Sequence, residues 1–430
     1  MIASDPRAAR PGVALRPVAK VGDLRCRVLS VDTERADDPD EQLLRTFSPE
    51  FVNLPAITDG DAKPYPDGEH DYQPNAVEVF LDQIGTVRQA PRGPFGWANI
   101  VYTAASYILL GVPALMALIG APVDWILGVL GAALLNTGLA VIAVVPAYRW
   151  AQTPSGVDRI RSAAAAKDGG ERYAMTTFPA NRVGNPTSAW ANYHAALSNK
   201  PALRDIVVYG RVLPVEDEHV SKVLQYWLFY YYNDWWNSHE ADWEVAMVYL
   251  GDDHRPIAAA CSSHLSGTWR PWPAVEGVSD TSTHPRIYVA RGSHAMYFNV
   301  SGGIHYAVLR QPWAVFDFSG QLLVKGSKDA VGAPTEEPAT YRLEIMPTNP
   351  EDEVTPSDPG KPGEQSDAWR RWWWLRFEGR WGREDGILSP AIQEAKLRWD
   401  RPVSWARDHC AADSTSWDEV MPAAARGPGQ

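Results

Sequence analysis

Two charge-free stretches constrain this 430-residue chain more than any other feature. Ala98 to Gly120 reads "ANIVYTAASYILLGVPALMALIG" and Trp125 to Ala147 reads "WILGVLGAALLNTGLAVIAVVPA". A helix needs about 20 apolar residues to cross the hydrocarbon of a bilayer, and each stretch is that long. The link between them, "APVD", carries one charge, Asp124. Trp97, Trp125, Tyr148 and Trp150 stand at the ends, where amphipathic rings favour the headgroup region. Gly128 and Ala132 have the small-xxx-small spacing that lets two helices approach, and Pro113 is placed to kink the first. Residues 98–147 are therefore expected to form a transmembrane helical hairpin; a buried hairpin in a water-soluble core is the alternative. Arg88 and Arg92 precede the pair, and Arg149, Arg159 and Arg161 follow it. Positive flanks stay inside, so both termini and the main domain are expected in the cytoplasm, with Asp124 outside.

The cysteine set agrees with a reducing compartment. Cys26, Cys261 and Cys410 are few, far apart and without a C-x-x-C, which excludes a disulfide framework and a thiolate zinc site. The opening "MIASDPRAARPGVALRP" has no apolar core, so no secretory signal is expected. A formal charge of -12 argues against nucleic acid as a partner, because phosphates attract basic surfaces. The 19 Trp and 17 Tyr fit either a large aromatic core or ligand-facing and interfacial positions.

Outside the hairpin, a flexible arm is expected over residues 1–44. The first part of a β-sandwich domain follows over 45–97, where Val77, Phe80, Leu81 and Ile84 mark one helical face near an Asn75 cap. Beyond it, "IVVYGRVLPV", "LQYWLFYYY", "WEVAMVYL", "PIAAACSSH", "PRIYVARGSHAMYF" and "YAVLRQPWAVFDF" are β-branched and aromatic runs broken by turn residues. Such spacing predicts an antiparallel β-sandwich, mainly β with peripheral helices, whose main part covers 151–346. Residues 347–367 are Pro-, Gly- and acid-rich, a flexible loop by composition. A Trp-rich C-terminal part is expected over 368–412 and a disordered tail over 413–430.

The chemistry is concentrated in "NSHEADWEVAMVYL", residues 237–250. His239, Glu240, Asp242 and Glu244 crowd three carboxylates together, which calls for a metal, a basic partner or water among them. Strand alternation puts Asp242 and Glu244 on one face with Trp243 and Val245 on the other. His239 in the preceding turn and Asp234 are within reach. Asp234, His239, Asp242 and Glu244 make an oxygen-rich set suited to Mg²⁺, Ca²⁺ or Mn²⁺, and to zinc only if further histidine joins. Ser263-His264 and Ser293-His294 each end an apolar run, so both imidazoles are expected at the same rim, as ligand contacts or as an acid or base. Trp236 and Trp269 complete the ligand-facing set. The bland alternative is that these histidines satisfy loop carbonyls and the acids form a solvated edge.

The string "QYWLFYYYND…HEADWEVAMVYL…SSHLSGTW…HPRIYVARGSHAMY…FEGRWG…SPAIQEAKLRWDRPVSW", with "PYPDGEHDYQPNAVEVFL" upstream, resembles the family related to vacuolar protein sorting-associated protein 62. A more distant resemblance is to the necrosis- and ethylene-inducing peptide-like cytolysins, whose heptapeptide is Gly-His-Arg-His-Asp-Trp-Glu. Aligned on Asp-Trp-Glu, its first His falls on His239, its Asp on Asp242 and its Glu on Glu244. Its Gly is Ser238 here and its second His is Ala241. That resemblance implies a divalent cation held by Asp234, His239, Asp242 and Glu244 in a β-sandwich cleft facing a sugar headgroup, with His264 and His294 nearby.

Three functions follow as expectations. The first is a membrane-anchored module that binds a polar lipid headgroup or glycan through a metal-containing cleft. The second is a metal-dependent hydrolase of a similar substrate, and the third a membrane scaffold without a small ligand. The sequence leaves the oligomeric state open.

Overall fold

Lys222–Asn233 and His239–Leu250 pair antiparallel into a long hairpin, and all but the first residue of each strand is buried. "KVLQYWLFYYYN" and "HEADWEVAMVYL" are nearly unbroken runs of β-branched, aromatic and apolar residues, the composition of strands covered on both faces. The structure, a computed structural model, describes residues 38–52, 72–84, 86–89, 151–154, 157–165, 173–177, 186–234, 239–263, 266–279, 282–290, 293–298, 340–358, 361–382, 387–392, 397–412 and 417–425.

In chain order the described strands begin with β1 (Glu50–Val52), β2 (Thr86–Gln89), β3 (Ala151–Pro154), β4 (Tyr173–Thr176), β5 (Val207–Pro214), β6 (Lys222–Asn233), β7 (His239–Leu250) and β8 (Pro256–Ser263). They continue with β9 (Ser266–Pro271), β10 (Arg286–Val289), β11 (Met296–Tyr297), β12 (Arg342–Ile345), β13 (Ser357–Asp358), β14 (Lys361–Gln365), β15 (Arg380–Trp381) and β16 (Cys410–Ala412). The central sheet has seven strands in the order β12-β5-β6-β7-β8-β9-β16. Its middle is an antiparallel meander, whereas β12 and β16 join β5 and β9 in parallel. Two smaller sheets flank the site described below: β15-β4-β2-β3, and β1-β10-β11. The fold is thus mainly β with helices, and its parallel edges depart from the purely antiparallel sandwich that turn spacing suggested.

The tryptophans settle into the core. Trp243 stacks on Trp374 with ring centroids 5.3 Å apart, and touches Phe229 at 4.9 Å, Tyr209 at 5.9 Å and Trp381 at 5.9 Å. Each such pair adds about 0.5–1.5 kcal/mol beyond its area burial. Trp381 donates its indole N–H to Ser389 Oγ at 2.9 Å, and Ser389 donates onward to the carbonyls of Trp374 and Phe377. The Trp-rich C-terminal segment therefore closes over Tyr209 and Trp243.

Several expectations need correction. Val77, Phe80, Leu81 and Ile84 are buried together as the helical face predicts, yet the helix is short, Glu78–Leu81, and Asn75 does not cap it. Asn75 instead donates to Leu203 O at 2.8 Å and accepts from Tyr193 Oη at 2.5 Å. Residues 347–367, read as a flexible loop, contain a helix, Pro350–Glu353, capped by Asn349, and the hairpin β13–β14. Residues 417–425, placed in a disordered tail, form a helix that buries Trp417 and Met421. "PRIYVARGSHAMYF" is two strands, β10 and β11, and the helix Pro39–Thr46 begins inside the expected flexible arm. "YAVLRQPWAVFDF" lies outside the described residues.

The integral-membrane placement, with two spans and cytoplasmic termini, is also corrected. Among the described residues no helix is long and apolar enough to cross a membrane. The longest described helix, Pro186–Asn199, has 14 residues, which at about 1.5 Å per residue falls well short of an apolar layer about 30 Å thick. Residues 98–147, on which the hairpin rested, lie outside the described residues.

Candidate functional site

At the open end of the β6–β7 hairpin, Asn233 pairs with His239, Tyr232 with Glu240 and Tyr230 with Asp242. The ladder skips Ala241, whose φ of 60° lies in the left-handed region. For a residue with a Cβ this costs roughly 1–2 kcal/mol, so the surroundings must hold it there.

Glu240, the residue before it, is anchored. Its carboxylate is buried and accepts three hydrogen bonds: from Thr176 Oγ1 at 2.8 Å, Thr177 N at 2.7 Å and Thr177 Oγ1 at 2.9 Å. A hydrogen bond to a charged group contributes about 1.5–3 kcal/mol, the same order as the strain at Ala241. Strict alternation would aim Glu240, Asp242 and Glu244 to one side. The kink at Ala241 instead turns Glu240 toward β4, beside Trp381, while Asp242 turns to His294.

Asp242 is the centre of the site. His294 Nδ1 donates to its Oδ2 at 2.9 Å, Asn233 Nδ2 donates to the same oxygen at 3.2 Å, and Trp243 N donates to Oδ1 at 2.9 Å. His239 Nε2 lies 3.9 Å from Oδ1. With Asp242 ionised, its carboxylate can only accept, and the proton between them then sits on His294 Nδ1. The His294 ring lies flat on Tyr230, centroids 3.7 Å apart and planes 5° from parallel. His294 is itself left-handed, with φ 60°, and its N–H donates to Ala290 O at 3.1 Å. Its far nitrogen, Nε2, is buried without a hydrogen-bond partner among the described residues, as is Asn233 Oδ1.

The remaining expected site residues divide. Glu244 is buried and accepts from Ser262 Oγ, which in turn accepts from Val245 N at 2.8 Å. Asp234 is buried at the end of β6. Burial first, and then the Asp234 charge, pushes the Tyr72 hydroxyl well above its ordinary range, so this carboxylate is felt on the side of the Tyr72 cluster. Ser263 donates to Tyr297 Oη at 3.4 Å, and Ser293 accepts from Ala295 N. Trp269, expected to face a ligand, is buried against Trp417 at 4.9 Å; it belongs to the core. Trp236 and His264 lie outside the described residues.

The heptapeptide implies a cation held by Asp234, His239, Asp242 and Glu244. The donors are chemically suited to a hard ion, but among the described residues no group of three or more His, Cys, Asp or Glu is placed to hold one. Asp242 and His294 spend their facing atoms on each other, and Glu244 spends one of its oxygens on Ser262. Sequence reasoning did not find Asn233, Tyr230, Ser262, Thr176 or Thr177. Asn233, next to Asp234 in "YYYND", was within reach of the same argument, whereas the two threonines lie more than 60 residues upstream of Glu240 and carry no motif.

No family model and no curated protein matches the chain. The resemblance to the vacuolar protein sorting-associated protein 62-related family therefore gains no support. Solved structures that align with it include Necrosis and Ethylene inducing Protein 2 from the causal agent of cocoa's witches' broom disease, 26% identical over 23% of this chain and 47% of that chain, with a TM-score of 0.19. NLPPya in complex with glucosamine is 21% identical over 23% of this chain and 46% of that chain, with a TM-score of 0.19. A structure described as a toxin fold for microbial attack and plant defense is 15% identical over 47% and 72%, with a TM-score of 0.24. The chain spans about half the length of the first two. At these TM-scores the likeness is local, and the chains do not superpose as whole folds.

Proposed function

We propose that the open end of the β6–β7 hairpin binds a hydroxyl-rich, amine-bearing ligand, a glycan or polar headgroup, through Asp242, His294, Asn233 and His239. The observation that carries this reading is the Asp242–His294 contact, with His294 Nε2 buried and without a hydrogen-bond partner among the described residues. A buried polar nitrogen without a partner costs about 1–3 kcal/mol, and two left-handed residues beside it add strain. Such a cost is retained where a ligand group repays it on binding. Hydroxyls suit Nε2 and Asn233 Oδ1 as donors, and an ammonium suits a site containing Asp242 and the nearby Glu244.

A divalent cation joined to Asp234, His239, Asp242 and Glu244 is a second and separate reading, favoured by the chemistry of those four side chains. The binding reading does not depend on it. Hydrolysis of a similar substrate, with His294 as the base, belongs to the same site and would appear as turnover of a glycoside probe.

Equilibrium dialysis with glucosamine tests the reading. Millimolar binding by the wild type, weakened about tenfold in Asp242→Asn, is the expected result, equivalent to about 1.4 kcal/mol. No binding by the wild type overturns it.

A further inference from the structure

We propose that Glu240 is a positioning residue for this site: clamped to β4, it fixes the left-handed turn at Ala241 and thereby aims Asp242 at His294. The proposal rests on the reading of Asp242 and His294 as the binding centre.

Among the carboxylates in "HEADWE", Glu240 reaches the four-stranded sheet. Its two oxygens are met by the Thr176 and Thr177 hydroxyls and by the Thr177 amide. From a third direction it is roofed by Gly382. A Cβ at Gly382 would fall 2.8 Å from Glu240 Cβ and 2.8 Å from its carbonyl oxygen, and the φ of +95° there suits glycine. Gly382 N donates to Met175 O, so the end of β15 is itself tied to β4. Glu240 can neither rotate nor slide without breaking bonds to these segments.

The next residue takes up the consequence. With Glu240 held toward β4, a regular strand would carry Asp242 to the same side, because side chains two apart share a face. Ala241 at φ 60° breaks that period, and Asp242 meets His294 Nδ1 instead. A glycine or asparagine is the usual residue for this conformation; alanine adopts it here because its neighbours on both sides are fixed. The small sheet β15-β4-β2-β3 is thus coupled to the site through Glu240, beside the Trp243–Trp381 contact.

The test compares Glu240→Ala, Glu240→Gln and Thr177→Val, with ¹⁵N-histidine NMR of the His294 Nδ1–H as the spectroscopic readout and glucosamine dialysis as the functional one. Expected in Glu240→Ala is loss of the exchange-protected Nδ1–H signal and binding about tenfold weaker. Glutamine can still accept from Thr177 and donate to Thr176, so Glu240→Gln should restore both. A Glu240→Ala protein that melts lower but keeps the signal and the affinity overturns the proposal. If Glu240→Ala does not fold, Thr177→Val decides: a weakened signal supports positioning, and an unchanged one overturns it. Absence of glucosamine binding in the wild type, with the Nδ1–H signal still lost in Glu240→Ala, would remove the binding reading and leave the positioning role standing.

Discussion

Glu240 and Asp242 stand two residues apart on β7 and reach partners in different places: Glu240 accepts from Thr176 and Thr177 at β4, and Asp242 accepts from His294 just before β11. One left-handed alanine between them makes this division. It separates like charges, which would repel if aimed together, onto different hydrogen-bond partners.

The buried Asp242–His294 pair should be costly to break. His294→Ala removes the imidazole that faces Asp242 and stacks on Tyr230, and is expected to destabilise by about 1–3 kcal/mol in urea unfolding. His294→Gly makes the same deletion but relieves the left-handed backbone, so it should be about 1 kcal/mol less destabilised than the alanine variant. Equal stabilities for the two would show that the φ of 60° carries no strain.

Gly382 faces the Glu240 backbone at a distance that leaves no room for a methyl group. Gly382→Ala should lose about 2–4 kcal/mol, the sum of an unfavourable φ and a forced shift of Glu240. The measurement is the midpoint of urea unfolding. A change within experimental error would show that β15 and β7 are not held together as described.

Burial pushes the Cys261 thiol up to about 12 from an ordinary 9.0. The folded state favours the protonated thiol. Its contribution to stability is therefore full below the ordinary value and is lost as pH rises through the folded one. At about pH 8 the native protein should resist iodoacetamide at Cys261, and the urea-unfolded protein should react there, as read by peptide mass spectrometry. Equal labelling of both states would contradict the burial.

Chelation separates the two readings of the acidic residues. Treatment with EDTA is expected to leave glucosamine binding unchanged, because the proposed contacts through Asp242 and His294 do not include an ion. Loss of binding on chelation, restored by Ca²⁺, Mg²⁺ or Mn²⁺, would make the cation reading on Asp234, His239, Asp242 and Glu244 the primary one. Metal content of the Asp242→Asn/Glu244→Gln double variant would then confirm the ligands.

Much of the central sheet was legible, because β5 to β9 are written in β-branched and aromatic residues bounded by Gly, Pro, Asp and Asn. That Asp242 and His294 come together was also expected, from acidic crowding and from the Ser-His ending of an apolar run. The division between Glu240 and Asp242 was not. It depends on an alanine in a conformation that sequence assigns to glycine or asparagine, and on threonines that only tertiary packing delivers. The helix Trp417–Ala425 left a trace that composition hid, since Trp417 and Met421 are one helical turn apart. Trp269 looked ligand-facing because an aromatic beside Ser-His resembles a binding wall; the third dimension supplied Trp417 to cover it.

The most direct test of the central claim is ¹⁵N-histidine NMR of the wild type during titration with glucosamine. If the Asp242–His294 pair is the binding centre, the His294 Nε2 resonance shifts progressively with ligand while the Nδ1–H signal persists, since only Nε2 gains a partner. A His294 Nε2 resonance that stays fixed while glucosamine binds would place the ligand elsewhere and contradict the account.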